Sequence, residues 1–361
     1  MGDAPLPNPV IVLAFFREIP PAFREAIQNK FPDANLEALV LQRGEPIPTD
    51  VSRKATVIVT FTNLPTPEDA AHIKVIHFLS AGLDHLIHHP VLTQTSIPVT
   101  TSSGIHGPPI AEWTIMNWLV ASKKYARSYE NQKTHTWGSH DAYMDGLHDQ
   151  VGKKVGILGY GSIGRQSNWS SLRRNGHDRP RLHRIPANTP ASRRDPGYIV
   201  PGTGDKDGTV PVSWHHGTDR ASLHAFLALG LDHVVVCLPL TPQTTHMLGA
   251  DEFALLSARR RTPHIAPYLT NISRGKVIDQ AALLASLASG ELRGAALDVT
   301  DPEPLPGDHP LWEAPNVQIS PHVSGLGEEY FPRSLDILRE NLGRLERGEA
   351  LINEYKRGKG Y

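Results

Sequence analysis

Val155-Gly156-Ile157-Leu158-Gly159-Tyr160-Gly161-Ser162-Ile163-Gly164 is a short apolar run that ends in three glycines spaced G-x-G-x-x-G. An apolar strand that turns into a helix this way aims backbone N–H groups and the positive helix end at a pyrophosphate. Gly159 permits the tight turn, Gly161 lets the backbone approach the phosphates, and Gly164 lets helix and strand pack closely. The six residues Gly159, Tyr160, Gly161, Ser162, Ile163 and Gly164 are therefore candidate cofactor contacts. The spacing alone is a weak signal, and a glycine-rich structural turn would share it. The strand before it and the rhythm after it give it weight.

Working outward, apolar runs alternate with helical patterns on both sides. Upstream, residues 10–14, 55–60, 74–79 and 98–100 are short, apolar and β-branched, as buried parallel strands are. Residues 21–31 predict a helix. Residues 109–130 predict one long helix bridging two domains, with Ile110, Trp113, Ile115, Met116, Trp118, Leu119 and Val120 on a broad apolar surface. Downstream, strands are expected at 155–158, 234–238, 268–272, 294–299 and 317–320. Leu335, Leu338, Leu342 and Leu345 recur at helical spacing within 334–347. The expected class is α/β with two units.

Residues 167–190 break this order. A helix and a second strand belong here, but the segment carries five arginines and three prolines with little periodicity. It predicts a basic loop, continued by a polar connection over 191–214. Ordered flanks around an abrupt break have the form of a shifted reading frame or a misplaced exon boundary, which sequencing the transcript would test. Residues 259–267 form a second irregular basic stretch. The acidic residue that would hold a ribose 2′-hydroxyl about 20 residues past the glycines is missing. Arg181 and Arg184 stand near that place. An arginine there accommodates a 2′-phosphate and favours NADP(H) over NAD(H), whereas the bland reading is a pair of solvated loop charges.

Bulk properties narrow the partners. The chain has 361 residues, a formal net charge of −1 and one cysteine, Cys237. There is no basic excess for a nucleic-acid backbone, and no intramolecular disulfide or cysteine-rich metal site can form. With no basic apolar leader in residues 1–9 and no membrane-length apolar run, a soluble cytoplasmic protein is expected. His85, His88 and His89 cluster without a carboxylate at a recognised ligand spacing, so they are expected to be loop or helix-end histidines, with no metal bound.

The chemistry-bearing residues lie just past predicted strands, where ligands bind in open α/β sheets. Pro239 and Thr244 belong to the turn after 234–238 and are candidate cofactor contacts. Arg274, Glu303 and His322 follow the next three strands. Histidine exchanges protons near neutral pH. A neighbouring carboxylate orients it and favours its charged form. Arginine grips a carboxylate with two parallel hydrogen bonds. Singly each has an ordinary structural reading; together, at successive strand ends, they point to a reaction centre.

The blocks Ser80-Ala81-Gly82-Leu83-Asp84, GYGSIG, LPLTPQTTHML, NISRGKVID, GAALDVTDPEPLP and SPHVSG run in the order of one family. The chain resembles the D-isomer-specific 2-hydroxyacid dehydrogenases, which include glyoxylate/hydroxypyruvate reductases and phosphoglycerate dehydrogenases. The resemblance implies two Rossmann-like or flavodoxin-like domains with an interdomain cleft, the cofactor domain inserted into the substrate domain. On that layout residues 1–120 plus 334–361 form the substrate domain, and 121–333 the NAD(P)-binding domain with its anomalous segment at 167–190. Arg274, Glu303 and His322 become the catalytic set, with Arg274 also holding substrate beside the backbone amides of Ala81 and Gly82. Asp298 would contact the nicotinamide carboxamide. The implied activity is NAD(P)H-linked interconversion of a small 2-oxoacid and a D-2-hydroxyacid, glyoxylate- or hydroxypyruvate-like, in a homodimer. Corepressor relatives use the same fold as a dinucleotide-gated scaffold and keep the catalytic residues, so a weak or inactive scaffold is the alternative.

Overall fold

Two sets of apolar runs build two separate parallel sheets. The computed structural model describes residues 8–19, 21–144, 146–166, 180–183, 189–258 and 266–357. Residues 167–179 and 184–188 of the basic segment, Arg184 among them, lie outside these, as does 259–265 of the second basic stretch.

The first sheet contains β1 (Val10–Phe15), β2 (Asn35–Val40), β3 (Val57–Thr60), β4 (Val75–Phe78) and β5 (Val99–Thr101), in the order β2-β1-β3-β4-β5. All its pairings are parallel. Side chains alternate across it. Ile11, Leu13, Phe15, Val57 and Val59 face α1 (Pro21–Lys30) and the C-terminal helix Tyr330–Glu346. Val12, Ala14, Ile58, Ile76 and Phe78 face the other side. There α2 (Thr49–Ser52) contributes Val51, and α3 (Pro90–Gln94) contributes Val91 and Leu92. Both faces are covered, which is why these strands are nearly all apolar. His89 Nδ1 accepts the Val91 amide at 3.2 Å and caps α3, which gives this histidine a helix-end role.

α4 (Gly107–Ser122) and α5 (Tyr125–Lys133) replace the single long helix expected over 109–130. Lys124 between them takes the left-handed conformation, φ 51°, and the helical ladder ends there. A short helix α6 (Asp141–Met144) follows.

The second sheet holds β6 (Val155–Leu158), β7 (Pro180–His183), β8 (Ser213–His216), β9 (His233–Val236), β10 (Tyr268–Asn271), β11 (Gly294–Leu297) and β12 (Val317–Ile319). Its order is β12-β11-β10-β9-β6-β7-β8, all parallel. The strand order reverses between β6 and β9, which is the topological switch point where doubly wound sheets take ligands. Here the expected basic loop and polar connection are corrected. Pro180–His183 is a strand in the slot beside β6, and the connection ends in β8 after a short helix α7 (Pro190–Arg193). Backbone pairing to β6 and β8 supplies the ladder that the side-chain pattern did not announce.

One face of this sheet is covered by α8 (Arg220–Leu227), α9 (Ala250–Ser257) and α10 (Gln280–Ala288), through Leu223, Phe226, Phe253, Leu256, Leu283 and Leu287. The other face is covered by α4, through Ile110, Ala111 and Trp118. Trp118 Nε1 donates to Thr270 Oγ1 at 3.0 Å. The last helix, α11 (Tyr330–Glu346), returns to the first unit.

By contacts the first unit comprises residues 1–105, 196–200 and 327–361; the second comprises 106–195 and 201–326. By contacts the division falls after residue 105, because α4 packs on the seven-stranded sheet, and again after 326. Among the described residues no helix is long and apolar enough to cross a membrane.

Candidate active site

The glycine turn leaves β6 at the switch point. Gly159 has φ +92°, and a Cβ there would stand 2.7 Å from the Cys237 carbonyl oxygen just past β9. Only glycine combines that conformation with that approach. A Cβ on Gly164 would stand 2.3 Å from the Gly159 oxygen, so the turn closes on itself there. Gly161 is different: it is exposed, and a Cβ on it would meet nothing within 4 Å.

The Tyr160 side chain points inward. Its hydroxyl donates to Asp205 Oδ2 at 2.8 Å, its ring packs edge-on against Trp214, and the Arg165 guanidinium lies 5.0 Å from its centroid. Asp205 also accepts the Thr209 and Val210 amides, and its main-chain oxygen takes Arg165 Nη1 at 3.0 Å. This buried network props the turn from beneath and leaves open space at Gly161. A backbone cradle of this shape fits a dinucleotide pyrophosphate, with Gly161 as the point of approach.

The other candidates follow the neighbouring strands of the same unit. Beyond β9, Thr244 Oγ1 donates to the Pro239 carbonyl at 2.8 Å and accepts the Thr241 amide at 2.8 Å, so it braces its own turn. Beyond β10, Asn271 Nδ2 donates to the Arg274 carbonyl at 3.0 Å, and Asn271 Oδ1 accepts from the Ser273 amide and hydroxyl. Arg274 Nη1 donates to the Ser273 carbonyl at 2.8 Å. Gly275 lies so close to the next strand's exit that a Cβ would overlap the Thr300 carbonyl. Beyond β11, Gln280 Oε1 accepts the Asp301 amide at 2.9 Å and tethers the loop bearing Glu303.

Beyond β12, His322 Nδ1 meets Glu303 Oε1 at 2.7 Å. A carboxylate accepts, so in this contact Nδ1 carries the proton. Both side chains stay reachable, 48% and 41% exposed. Asp298 by contrast is buried, its carboxylate bonded to Ser320, Val323 and Ser324.

Ala81 and Gly82 lie in the first unit, in the loop after β4. Ser80 Oγ donates to the Gly82 carbonyl at 3.1 Å, and the Ser80 carbonyl accepts the Ser102 amide. A cavity of about 220 Å³ opens beside them, lined by Ala81, Leu83, Thr101, Ser103, Asn353 and Tyr355. Within the second unit Glu303 and His322 are thus in contact, and Arg274 stands one strand away. Asn271, Gln280, Ser320 and Ser324 had not been singled out from sequence. For Asn271, Ser320 and Ser324 the one signal was polarity at or just past the ends of strands; Gln280 opens α10 and carried none.

Residues 207–324 match the model of the D-isomer-specific 2-hydroxyacid dehydrogenase NAD-binding domain. The match begins after the basic segment and does not include the glycine turn. A glyoxylate reductase of Thermofilum pendens is 29% identical over 290 residues, 79% of this chain and 76% of that protein. The glyoxylate/hydroxypyruvate reductase A of Salmonella paratyphi B is 28% identical over 297 residues, 80% of this chain and 82% of the other. Among solved structures, a D-isomer-specific 2-hydroxyacid dehydrogenase of Xanthobacter autotrophicus Py2, in complex with NADPH and MES, aligns with TM-score 0.73. It is 27% identical and covers 97% of this chain and 99% of its own. An NADPH-dependent glyoxylate/hydroxypyruvate reductase of Sinorhizobium meliloti, with NADP and sulfate, aligns at 0.72. Identity is 25%, covering 98% of this chain and all of the other.

Proposed function

The chain belongs to the D-isomer-specific 2-hydroxyacid dehydrogenase family, oxidoreductases of CH–OH groups, and on that premise we propose that it reduces a small 2-oxoacid to the D-2-hydroxyacid. The observation that carries this reading is the 2.7 Å His322–Glu303 pair, formed past the carboxyl ends of the same parallel sheet whose β6 ends in the glycine turn.

NAD(P)H, when bound, supplies the hydride to the carbonyl carbon. His322 gives its Nε2 proton to the carbonyl oxygen, and Glu303 across Nδ1 orients the imidazole for this donation. Arg274 binds the substrate carboxylate and polarises the 2-oxo group. The amides of Ala81 and Gly82 are assigned to substrate binding, which makes the five-stranded unit the substrate domain and the seven-stranded unit the cofactor domain. In the reverse direction neutral His322 takes the hydroxyl proton.

Glyoxylate and hydroxypyruvate are the substrates we test first, because the similar reductases carry those names. NADP(H) is favoured: two similar structures hold NADPH or NADP, and β7 runs directly into Arg184 in the sequence. Asp298 is assigned to the carboxamide, and Pro239 and Thr244 to the cofactor's flank. The comparisons lend no support to the scaffold alternative. We also assign a homodimer formed through the cofactor domain. Met116, Leu119, Tyr125, Tyr129, Trp137 and Met144 of one continuous stretch are all exposed, Trp137 at 94%, and clustered exposed apolar residues mark association surfaces.

The test is to titrate the purified protein with NADH and NADPH and then assay the two 2-oxoacids. Tight binding of one cofactor with turnover, and loss of turnover in His322→Ala with binding retained, is the expected result. Failure to bind either dinucleotide would remove the enzyme reading.

A further inference from the structure

His322 occupies the left-handed region, φ +54°. A side chain with a Cβ is disfavoured there, and such a conformation persists only where its surroundings impose it. Asp298 imposes it here together with the Ser320 carbonyl, which also accepts the His322 amide, at 3.0 Å. The His322 amide donates to the Asp298 main-chain oxygen at 2.9 Å. Asp298 Oδ1 accepts from Ser320 Oγ at 2.6 Å, the Val323 amide at 2.8 Å and the Ser324 amide at 3.1 Å. Oδ2 accepts the Ser324 amide at 3.1 Å and the Ser324 hydroxyl. Asp298 itself is 2% exposed, and its amide donates to the Asn271 carbonyl at 3.1 Å. Both sides of the His322 turn are thus tied to a single buried carboxylate at the exit of β11. The imidazole takes no part in this clamp; it stands half exposed with Nδ1 on Glu303.

We propose that Ser320, acting through Asp298, is a positioning residue that holds His322 in the one backbone conformation that sets its Nδ1 on Glu303. The proposal rests on the reading of His322 as proton donor. Ser320 is the only side-chain tie on the N-terminal side of the turn among the described contacts of Asp298, and the following residue, Pro321, has no amide with which to replace it. Ser320 keeps its amide bond to the Leu297 carbonyl at 3.0 Å, so removing the hydroxyl loosens that side of the turn without detaching it, and the ring loses its fixed relation to the Glu303 carboxylate. Buried Asp298 keeps its backbone donors, so the loop remains attached on its C-terminal side. The consequence is a loosened proton donor, not an absent one. A misplacement of about 1 Å in a reacting group costs on the order of 100-fold in rate.

Ser320→Ala tests this, with Ser320→Thr as the conservative variant and Ser324→Ala as a second clamp variant. The expected result is a kcat lowered at least tenfold in Ser320→Ala, with KM and the NAD(P)H Kd within twofold of the parent. Ser320→Thr restores most of the rate. In a His322→Ala background Ser320→Ala has no further effect. Ring 15N shifts of His322 in the cofactor-free protein supply a readout independent of turnover. They should report a single Nδ1–H tautomer in the parent and a mixture in Ser320→Ala, or in Ser324→Ala if the first variant does not fold. Unchanged ring shifts together with unchanged kcat overturn the proposal. So does a parallel loss in kcat, KM and Kd with unchanged shifts, which would make the clamp a general fold element. If the parent reduces no 2-oxoacid with either cofactor, the enzyme reading fails, while the ring shifts still decide whether Ser320 positions His322.

Discussion

At the scale of single residues, candidates for chemistry were legible wherever a reactive side chain stood just past an apolar run. Arg274, Glu303 and His322 were found that way. Side-chain direction was not legible: Tyr160 sits inside the glycine motif, yet its ring is buried on Asp205 and Trp214. The same holds for His77, which lies within the apolar run of β4. It is fully buried, with Nδ1 on Thr100 Oγ1 at 2.9 Å and Nε2 on Ser334 Oγ at 3.1 Å. Burial disfavours its charged form and lowers its pKa from 6.5 to about 4, against the opposing contact with Ser334. The unfolded chain therefore binds a proton between pH 6.5 and 4 that the folded chain refuses. Stability from this group is complete above pH 6.5, falls as pH drops through that window, and levels off below 4. The expected loss is on the order of 3 kcal/mol. Urea denaturation at pH 7.5 and pH 4 measures it. His77→Gln should shrink the difference between the two pH values; an identical pH dependence in parent and variant would refute the assignment.

At the scale of elements, strands buried on both faces announced themselves and strands held by their backbones did not. β1, β3, β4, β6, β9, β10 and β11 are short apolar runs. β7 reads Pro-Arg-Leu-His and β8 Ser-Trp-His-His, and their places come from pairing with β6 and with each other. β2, an edge strand only half buried, was missed for the same reason. The break between α4 and α5 is one residue's conformation at Lys124, which no periodicity encodes. The glycine turn separates two roles that its spacing treats alike. Gly164→Ala places a methyl against the Gly159 carbonyl and should lower the melting temperature of the cofactor-free protein. Gly161→Ala has room and should leave that temperature unchanged, yet weaken NAD(P)H binding at least tenfold by occupying the point of phosphate approach. Calorimetry with and without cofactor distinguishes the two, and equal melting temperatures for the two variants would contradict it. α11 behaves as its leucine spacing foretold. Leu335, Leu338 and Leu342 are buried against β1, β3 and α1. Leu338→Ala should cost about 2–5 kcal/mol in the unfolding of the first unit, read by chemical denaturation.

At the scale of the whole molecule, association is the property to measure. Light scattering should give twice the chain mass, and Met116→Glu combined with Tyr129→Asp should give the monomer mass with secondary structure retained. A monomeric parent would refute the dimer. The exposed Met116 and Leu119 lie on α4, the same helix that holds Trp118 and Ile110 against the second sheet. That packing is also why the units divide after residue 105.

Local patterns by themselves determined the α/β class, the strand-to-glycine turn, the candidate polar residues at the strand ends, and the amphipathic return of the last helix. Each follows from residue type and short-range spacing, because apolar burial and backbone reach act over a few residues. Tertiary structure alone decided the strand order that opens the switch point between β6 and β9, the inclusion of Pro180–His183 in the sheet, the inward turn of Tyr160 and the clamp of Asp298 on the His322 turn. These depend on partners tens of residues apart: a backbone hydrogen bond carries no side-chain signature, and the carboxylate at 298 meets the serine at 320 only when β11 and β12 lie side by side.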